Sequence, residues 1–279
     1  MGNLNSHLQT APNRAAGVRG RHLLKRLPAF SPIAIKLMVM VNDENVSFKE
    51  IAKLFSADPV LAGQVLRLAN SGMYGRQVTP VQSVLHAIAI LGLKNISRIA
   101  LTAALSHGFP HRTASWTRSW WRHSIASALI ADHVGVAELH LDFGYTAGLL
   151  HAIGQLALFQ NAPEEYPTLI EEAHSSGADV LQCESRRFGA DHVELSGLIL
   201  AEWGLPQSLQ QAVSERDSSD PLTATVQAGC WYAESVGFGQ CGCIQNRRDN
   251  ISKHPAKPLD KYLLDVLTIE VNRIECSLH

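Results

Sequence analysis

Prolines in this chain repeatedly fall at places where a helix can begin. Asp58-Pro59 is the sharpest case: the aspartate can accept from the orphan amides of a first turn, and proline at the first helical position forfeits no needed hydrogen bond. The spacing predicts a helix through Leu61, Val65, Leu66 and Leu68 that stops around Asn70-Ser71-Gly72. Thr79-Pro80 repeats the device ahead of Val81, Val84, Leu85, Ile88 and Leu91, with Gly92 closing the segment. Leu93, Ile96, Ile99, Ala100 and Ala103 then predict a further amphipathic helix. Asp191 with Glu194 three residues on has the form of a capping box, and the helix it opens should end at Trp203-Gly204. Leu205-Pro206 and Asp220-Pro221 start two more. No strand-like alternation competes along the chain, so the predicted fold class is all-α.

The same punctuation divides the chain. Residues 1–22 read as a flexible basic arm: Arg14, Arg19 and Arg21 lie there, with Lys25 and Arg26 just beyond, and no acidic residue occurs among the first 26. A first helical lobe is expected over 23–109 and a second over 110–239, joined at Phe109-Pro110-His111-Arg112-Thr113. In the second lobe a long helix is predicted from Trp116 to Val134. The stretch Gly148-Leu149-Leu150-His151-Ala152-Ile153-Gly154 is apolar nearly all round and must therefore be central. A polar loop over 240–258 precedes a terminal helix over 259–279, whose Leu263, Leu264, Leu267, Val271 and Ile274 should pack back on the body.

Composition narrows the function classes. Apolar residues make up 46% of the 279 and charged residues 18%, enough to build a sizeable core. The formal net charge of −1 supplies no global attraction to polyanions, so no nucleic-acid partner is expected. No apolar run approaches the roughly 20 residues that cross a bilayer, and no membrane association is expected. Five scattered cysteines (Cys183, Cys230, Cys241, Cys243, Cys276) without a C-x-x-C pair or a secretory leader fit a reducing cytoplasm. Cys241 and Cys243, one residue apart with no second pair, read as loop cysteines rather than metal ligands. The opening Met1-Gly2-Asn3-Leu4-Asn5-Ser6 satisfies the loose myristoylation pattern, which is too short to weigh. The common nucleophile, phosphate-loop, dinucleotide and zinc-protease motifs are missing from the sequence. Trp116, Trp120 and Trp121, interleaved with Arg118 and Arg122, could stack nucleobases, but at the start of a long apolar helix they read as core. His133 and His140 flank a turn and are expected at the surface.

Several segments, in order, resemble the HDOD family, whose name marks an HD-related output domain. The first lobe carries Leu27-Pro28, Ala57-Asp58-Pro59-Val60-Leu61, Val65-Leu66-Arg67-Leu68-Ala69-Asn70-Ser71 and Val84 to Ala87 leading into Leu91-Gly92. The second adds Trp121-Arg122-His123-Ser124, Ala147-Gly148-Leu149-Leu150-His151, Phe188-Gly189-Ala190-Asp191-His192 and Glu202-Trp203-Gly204-Leu205-Pro206. The resemblance covers about Leu23 to Gly239. It implies a helical bundle lobe packed on a degenerate relative of the HD phosphohydrolases, in which histidines and aspartates hold divalent metals that activate water.

Mapped by that resemblance, His123, His151 and His192 occupy the three histidine positions. The His-Asp doublet reads His151-Ala152, a methyl in place of the bridging carboxylate. Ser214-Glu215 stands where related sequences often carry adjacent histidines, and Cys230 takes the slot of the final aspartate. Three imidazoles without an anionic ligand suit magnesium, manganese or iron poorly. No cofactor and no metal are therefore expected: the histidines are read as buried remnants, with a three-histidine zinc site as the sharper alternative. Glu215 or Asp217 as a fourth ligand is set against plain solvated surface. The resemblance implies a non-catalytic bacterial signal-transduction module that acts through protein partners, in a cyclic-dinucleotide or two-component network. A divergent phosphohydrolase and a nucleotide-binding cleft are the alternatives.

Overall fold

The computed structural model describes residues 22–25, 32–41, 47–70, 80–108, 115–134, 143–215, 220–238 and 261–277. The arm assigned to 1–22 (all but its last residue), the lobe junction at Phe109–Thr113, the loop at 240–258, and His140, Asp217, Cys241 and Cys243 lie outside the described residues. Within those residues every regular element is an α-helix: α1 (Pro32–Val41), α2 (Phe48–Ser56), α3 (Pro59–Ala69), α4 (Val84–Leu91), α5 (Leu93–Gly108), α6 (Ser115–Val134), α7 (Gly144–Leu150), α8 (Ile153–Asn161), α9 (Glu165–Ser176), α10 (Val180–Phe188), α11 (His192–Glu202), α12 (Gln207–Ser214), α13 (Pro221–Ser235) and α14 (Lys261–Ser277). No single helix there is long and apolar enough to cross a membrane.

The helix starts obey the acidic caps. Asp58 Oδ1 accepts from Leu61 N at 3.2 Å, Asp191 Oδ1 from Val193 N and Glu194 N at 3.0 Å each, and Asp220 Oδ2 from Thr223 N at 2.8 Å. At Thr79-Pro80 the outcome differs, because α4 begins only at Val84. The Asn70 side chain explains the delay: its Oδ1 accepts from Val81 N at 2.7 Å and its Nδ2 donates to Val81 O at 2.9 Å. Both backbone groups of Val81 are thus engaged across the chain, and Ser83 Oγ becomes the cap, accepting from His86 N at 3.1 Å. Gly92, at φ +76°, lets α5 leave α4 at a bend of 114°.

Two apolar cores result. The smaller gathers Leu37, Ile51, Phe55, Leu61, Val65, Ile88 and Ile96 from α1 to α5. The larger is built around α6, flanked by α7 and α13 and closed by Leu267, Val271 and Ile274 of α14. Burying each such Leu, Ile or Phe contributes about 1.5–3 kcal/mol before the entropy of ordering it. Helix α5 serves both, offering Ile96, Ile99, Ala100 and Ala103 to one and Leu101 and Leu105 to the other. Leu23, placed at the head of the first lobe by the sequence division, packs in the larger core, where its carbonyl accepts from Asn161 Nδ2 at 3.1 Å. Across the junction, Asp132 of α6 takes an ion pair from Lys94 at 2.7 Å and one from Arg98, while Thr102 Oγ1 and Tyr145 Oη lie 3.0 Å apart.

The central apolar stretch is two helices, not one. The chain breaks at His151–Ala152 between α7 and α8, with Ala152 at φ −115° and ψ 23°.

Candidate functional site

Two glycines set how closely the site's helices approach. A Cβ on Gly148 of α7 would sit 2.7 Å from Ala128 Cα, and one on Gly229 of α13 would sit 2.6 Å from Ser127 O. Both helices therefore press on α6 at the same level, one helical turn beyond His123. Gly148 and Gly229 both close on the Ser127 carbonyl of α6, and Cys230, which follows Gly229, and His151, one turn after Gly148, both come beside His123.

The outcome is a buried group in which one ligand atom each from His123, His151 and Cys230 lies within 4.8 Å of the others. The three residues are 1%, 6% and 3% exposed. His123 Nε2 is 3.4 Å from Cys230 Sγ and 3.3 Å from Ser127 Oγ. The His123 and His151 rings lie 5.4 Å apart between centroids. His151 Nδ1 is 2.6 Å from Gly148 O. A carbonyl can only accept, so Nδ1 carries the proton and Nε2 is the unprotonated nitrogen of the neutral ring.

His192 has another role. At the first position of α11 its Nδ1 is 2.8 and 2.7 Å from the two oxygens of Glu184 in α10, and its backbone N–H donates to Glu184 Oε2 at 2.8 Å. Tyr166 Oη donates to Glu184 Oε1 at 2.6 Å. Glu184 and His192 are both fully buried, so this carboxylate and its donors form a closed network that ties α9, α10 and α11 together. Sequence reasoning passed over Glu184 and Tyr166; the run Glu184-Ser185-Arg186-Arg187 has the look of a solvated face.

Ser214 and Glu215 do not join the group. Ser214 packs against Gly197 of α11 and donates to Gln210 O at 2.8 Å, and Glu215 is exposed past the end of α12. Ala152 is fully buried, and its carbonyl accepts from Trp120 Nε1 at 3.1 Å. Trp120 and Trp121 are buried and Trp116 stacks on Phe159 at 4.7 Å, which makes the tryptophan cluster core. His133 is exposed, as expected. Near the junction, burial pushes the Tyr145 phenol up to about 12 from its ordinary 10.

Set against this geometry, a hard dinuclear centre does not fit. By the resemblance its bridging oxygen would come from position 152, which is alanine, and among the described residues no carboxylate belongs to the His123–His151–Cys230 group.

Comparison with known proteins places the architecture. The family model described as HDOD domain matches residues 27–219. The fold is similar to that of an HDOD domain protein of unknown function from Geobacter sulfurreducens, at 23% identity and a TM-score of 0.70, covering 94% of this chain and 96% of that one. It is also similar to a proposed signal transduction protein from Marinobacter aquaeolei (21% identity, TM-score 0.71, 98% of this chain and 67% of that one). A proposed phosphohydrolase from Shewanella amazonensis shares it too (20%, 0.67, 95% and 98%). At these identities the likeness is one of fold alone. An uncharacterized protein of Treponema pallidum is 22% identical over 207 residues, which are 73% of this chain and 40% of that one, so the chain spans less than half the length of this curated relative.

Proposed function

Because this chain belongs to the HDOD domain family, we propose that it is a non-catalytic signalling module of the bacterial cytoplasm that acts through protein contacts, in a cyclic-dinucleotide or two-component network. The observation that carries the reading is Ala152. Phosphoester hydrolysis at neutral pH needs ions that acidify a bound water, and those ions need carboxylates to hold them and offset their charge. Here the position next to His151 offers a buried methyl, Glu215 points to solvent, and the Glu184 carboxylate is spent on His192 and Tyr166. The likeness to a proposed signal transduction protein agrees with this reading, and the likeness to a proposed phosphohydrolase marks what it must exclude.

The test is turnover by the full chain. A chromogenic phosphodiester and a panel of cyclic dinucleotides are incubated with the protein in magnesium, manganese and ferrous iron. The expected trace is that of the metal-only blank, identical for His151→Ala. Hydrolysis above blank that His151→Ala abolishes would overturn the reading. Equilibrium dialysis with the same nucleotides separates a silent binding cleft from no binding. Affinity capture from the native host, with and without residues 1–22, is expected to return a specific protein partner.

A further inference from the structure

We propose that His123, His151 and Cys230 form a binding site for a single zinc ion. The resemblance-based mapping counts Cys230 as a lost aspartate, and the expectation of no metal follows from that count. A thiol is nonetheless a ligand, and a better one than a carboxylate for a borderline ion. Exchanging aspartate for cysteine at this slot changes which metal the cleft can take: it disfavours magnesium and calcium and favours zinc.

Three independent features of the group agree. Its separation fits: with bonds of about 2.0–2.1 Å to nitrogen and about 2.3 Å to sulfur, an N···S edge of a zinc tetrahedron is about 3.5 Å, and His123 Nε2 lies 3.4 Å from Cys230 Sγ. Closing the remaining edges from the 4.8 Å bound of the group needs movements on the order of 1 Å. The His151 tautomer fits, because the Gly148 carbonyl holds the proton on Nδ1 and so presents Nε2 as the ligand nitrogen. This is the outer-sphere arrangement that metal-binding histidines use. The scaffold fits as well, since Gly148 and Gly229 fix the approach of α7 and α13 to α6 and leave little freedom in the spacing of the donors.

Binding would exchange the Cys230 S–H proton for the ion, and the proton would leave to buffer. Two neutral imidazoles and one thiolate leave a fourth position for water and a single net positive charge. Among the described residues no carboxylate belongs to the group, and a bound ion would cross-link α6, α7 and α13.

The experiment uses the full chain, loaded with zinc and dialysed exhaustively against metal-free buffer. Elemental analysis is expected to give about one zinc per chain. The cobalt-substituted protein should show the intense visible bands of a tetrahedral ion together with near-ultraviolet thiolate-to-cobalt charge transfer. Cys230→Ser should lose the charge-transfer band and bind zinc at least about tenfold more weakly. The double variant Cys241→Ser/Cys243→Ser should keep both properties. Substoichiometric zinc after loading, absence of the charge-transfer band from the unsubstituted chain, its persistence in Cys230→Ser, or its loss in the double variant would each overturn the site. If Cys230→Ser does not fold, the cobalt spectrum of the unsubstituted chain and the double variant still decide. Zinc without turnover leaves the non-catalytic reading intact, whereas a metal-free protein removes this inference alone.

Discussion

Between Leu37 and Leu101 every buried side chain among the described residues is apolar, whereas from Thr102 onward the buried set includes His123, His151, His192, Asp132, Glu184 and Asp191. The two cores are built from the same helical material and joined through α5, yet they are held together differently. In the smaller one, shape and volume decide, and one aliphatic side chain can stand in for another at modest cost. In the larger one many buried polar atoms depend on particular partners, as Tyr166 and His192 do on Glu184, so removing one side chain costs the others a hydrogen bond. A fold can thus keep its positioned chemistry in one half while the other half supplies bulk and stability.

The largest break in this contrast should come from Glu184→Ala. It removes the carboxylate that accepts from Tyr166 Oη, His192 Nδ1 and the His192 amide together, and the expected loss is about 3–5 kcal/mol in urea unfolding. A loss below about 1 kcal/mol would mean the network is not closed as described. Next is an alkaline effect at the junction. Between pH 10 and 12 the unfolded Tyr145 phenol has released its proton while the folded one still holds it, so stability falls as pH rises through that window. The contribution, fully present below the unfolded value, is roughly 2–3 kcal/mol, and Tyr145→Phe should flatten that part of the stability-against-pH curve. In the apolar core, Val65→Thr replaces a methyl with a hydroxyl among aliphatic neighbours and should cost about 1–2 kcal/mol by thermal melting. The smallest effect has the opposite sign. Ser124 Oγ is buried with no hydrogen-bond partner, so Ser124→Ala should be neutral or stabilising by up to about 1 kcal/mol. A clear destabilisation there would show that the polar half tolerates no simplification at all.

Local chemistry made most helix starts readable. Asp58, Asp191 and Asp220 cap where their sequence context puts them, because a cap involves only residues two or three positions away. Events that depend on distant partners were not readable. The start of α4 moved to Val84 because Asn70 reaches across eleven positions to Val81. The capping box of Ser47 and Glu50 is just as local, stands ahead of Ile51, Leu54 and Phe55 at helical spacing, and is passed over only because no proline marks it. At the candidate site, the family pattern singled out His123, His151 and Cys230, and the fold brings them together. His192 came from the same pattern but is engaged by Glu184, eight positions upstream on another helix, and no spacing rule connects the two.

The corner at His151–Ala152 is fastened by groups other than the side chain of residue 152. The imidazole is tied to Gly148 O, and the Ala152 carbonyl receives both Trp120 Nε1 and, at 3.0 Å, the Gln155 amide. None of these contacts uses the side chain of 152. The bonds that turn the chain here therefore constrain the backbone and leave the 152 side chain to be set by the packing around it.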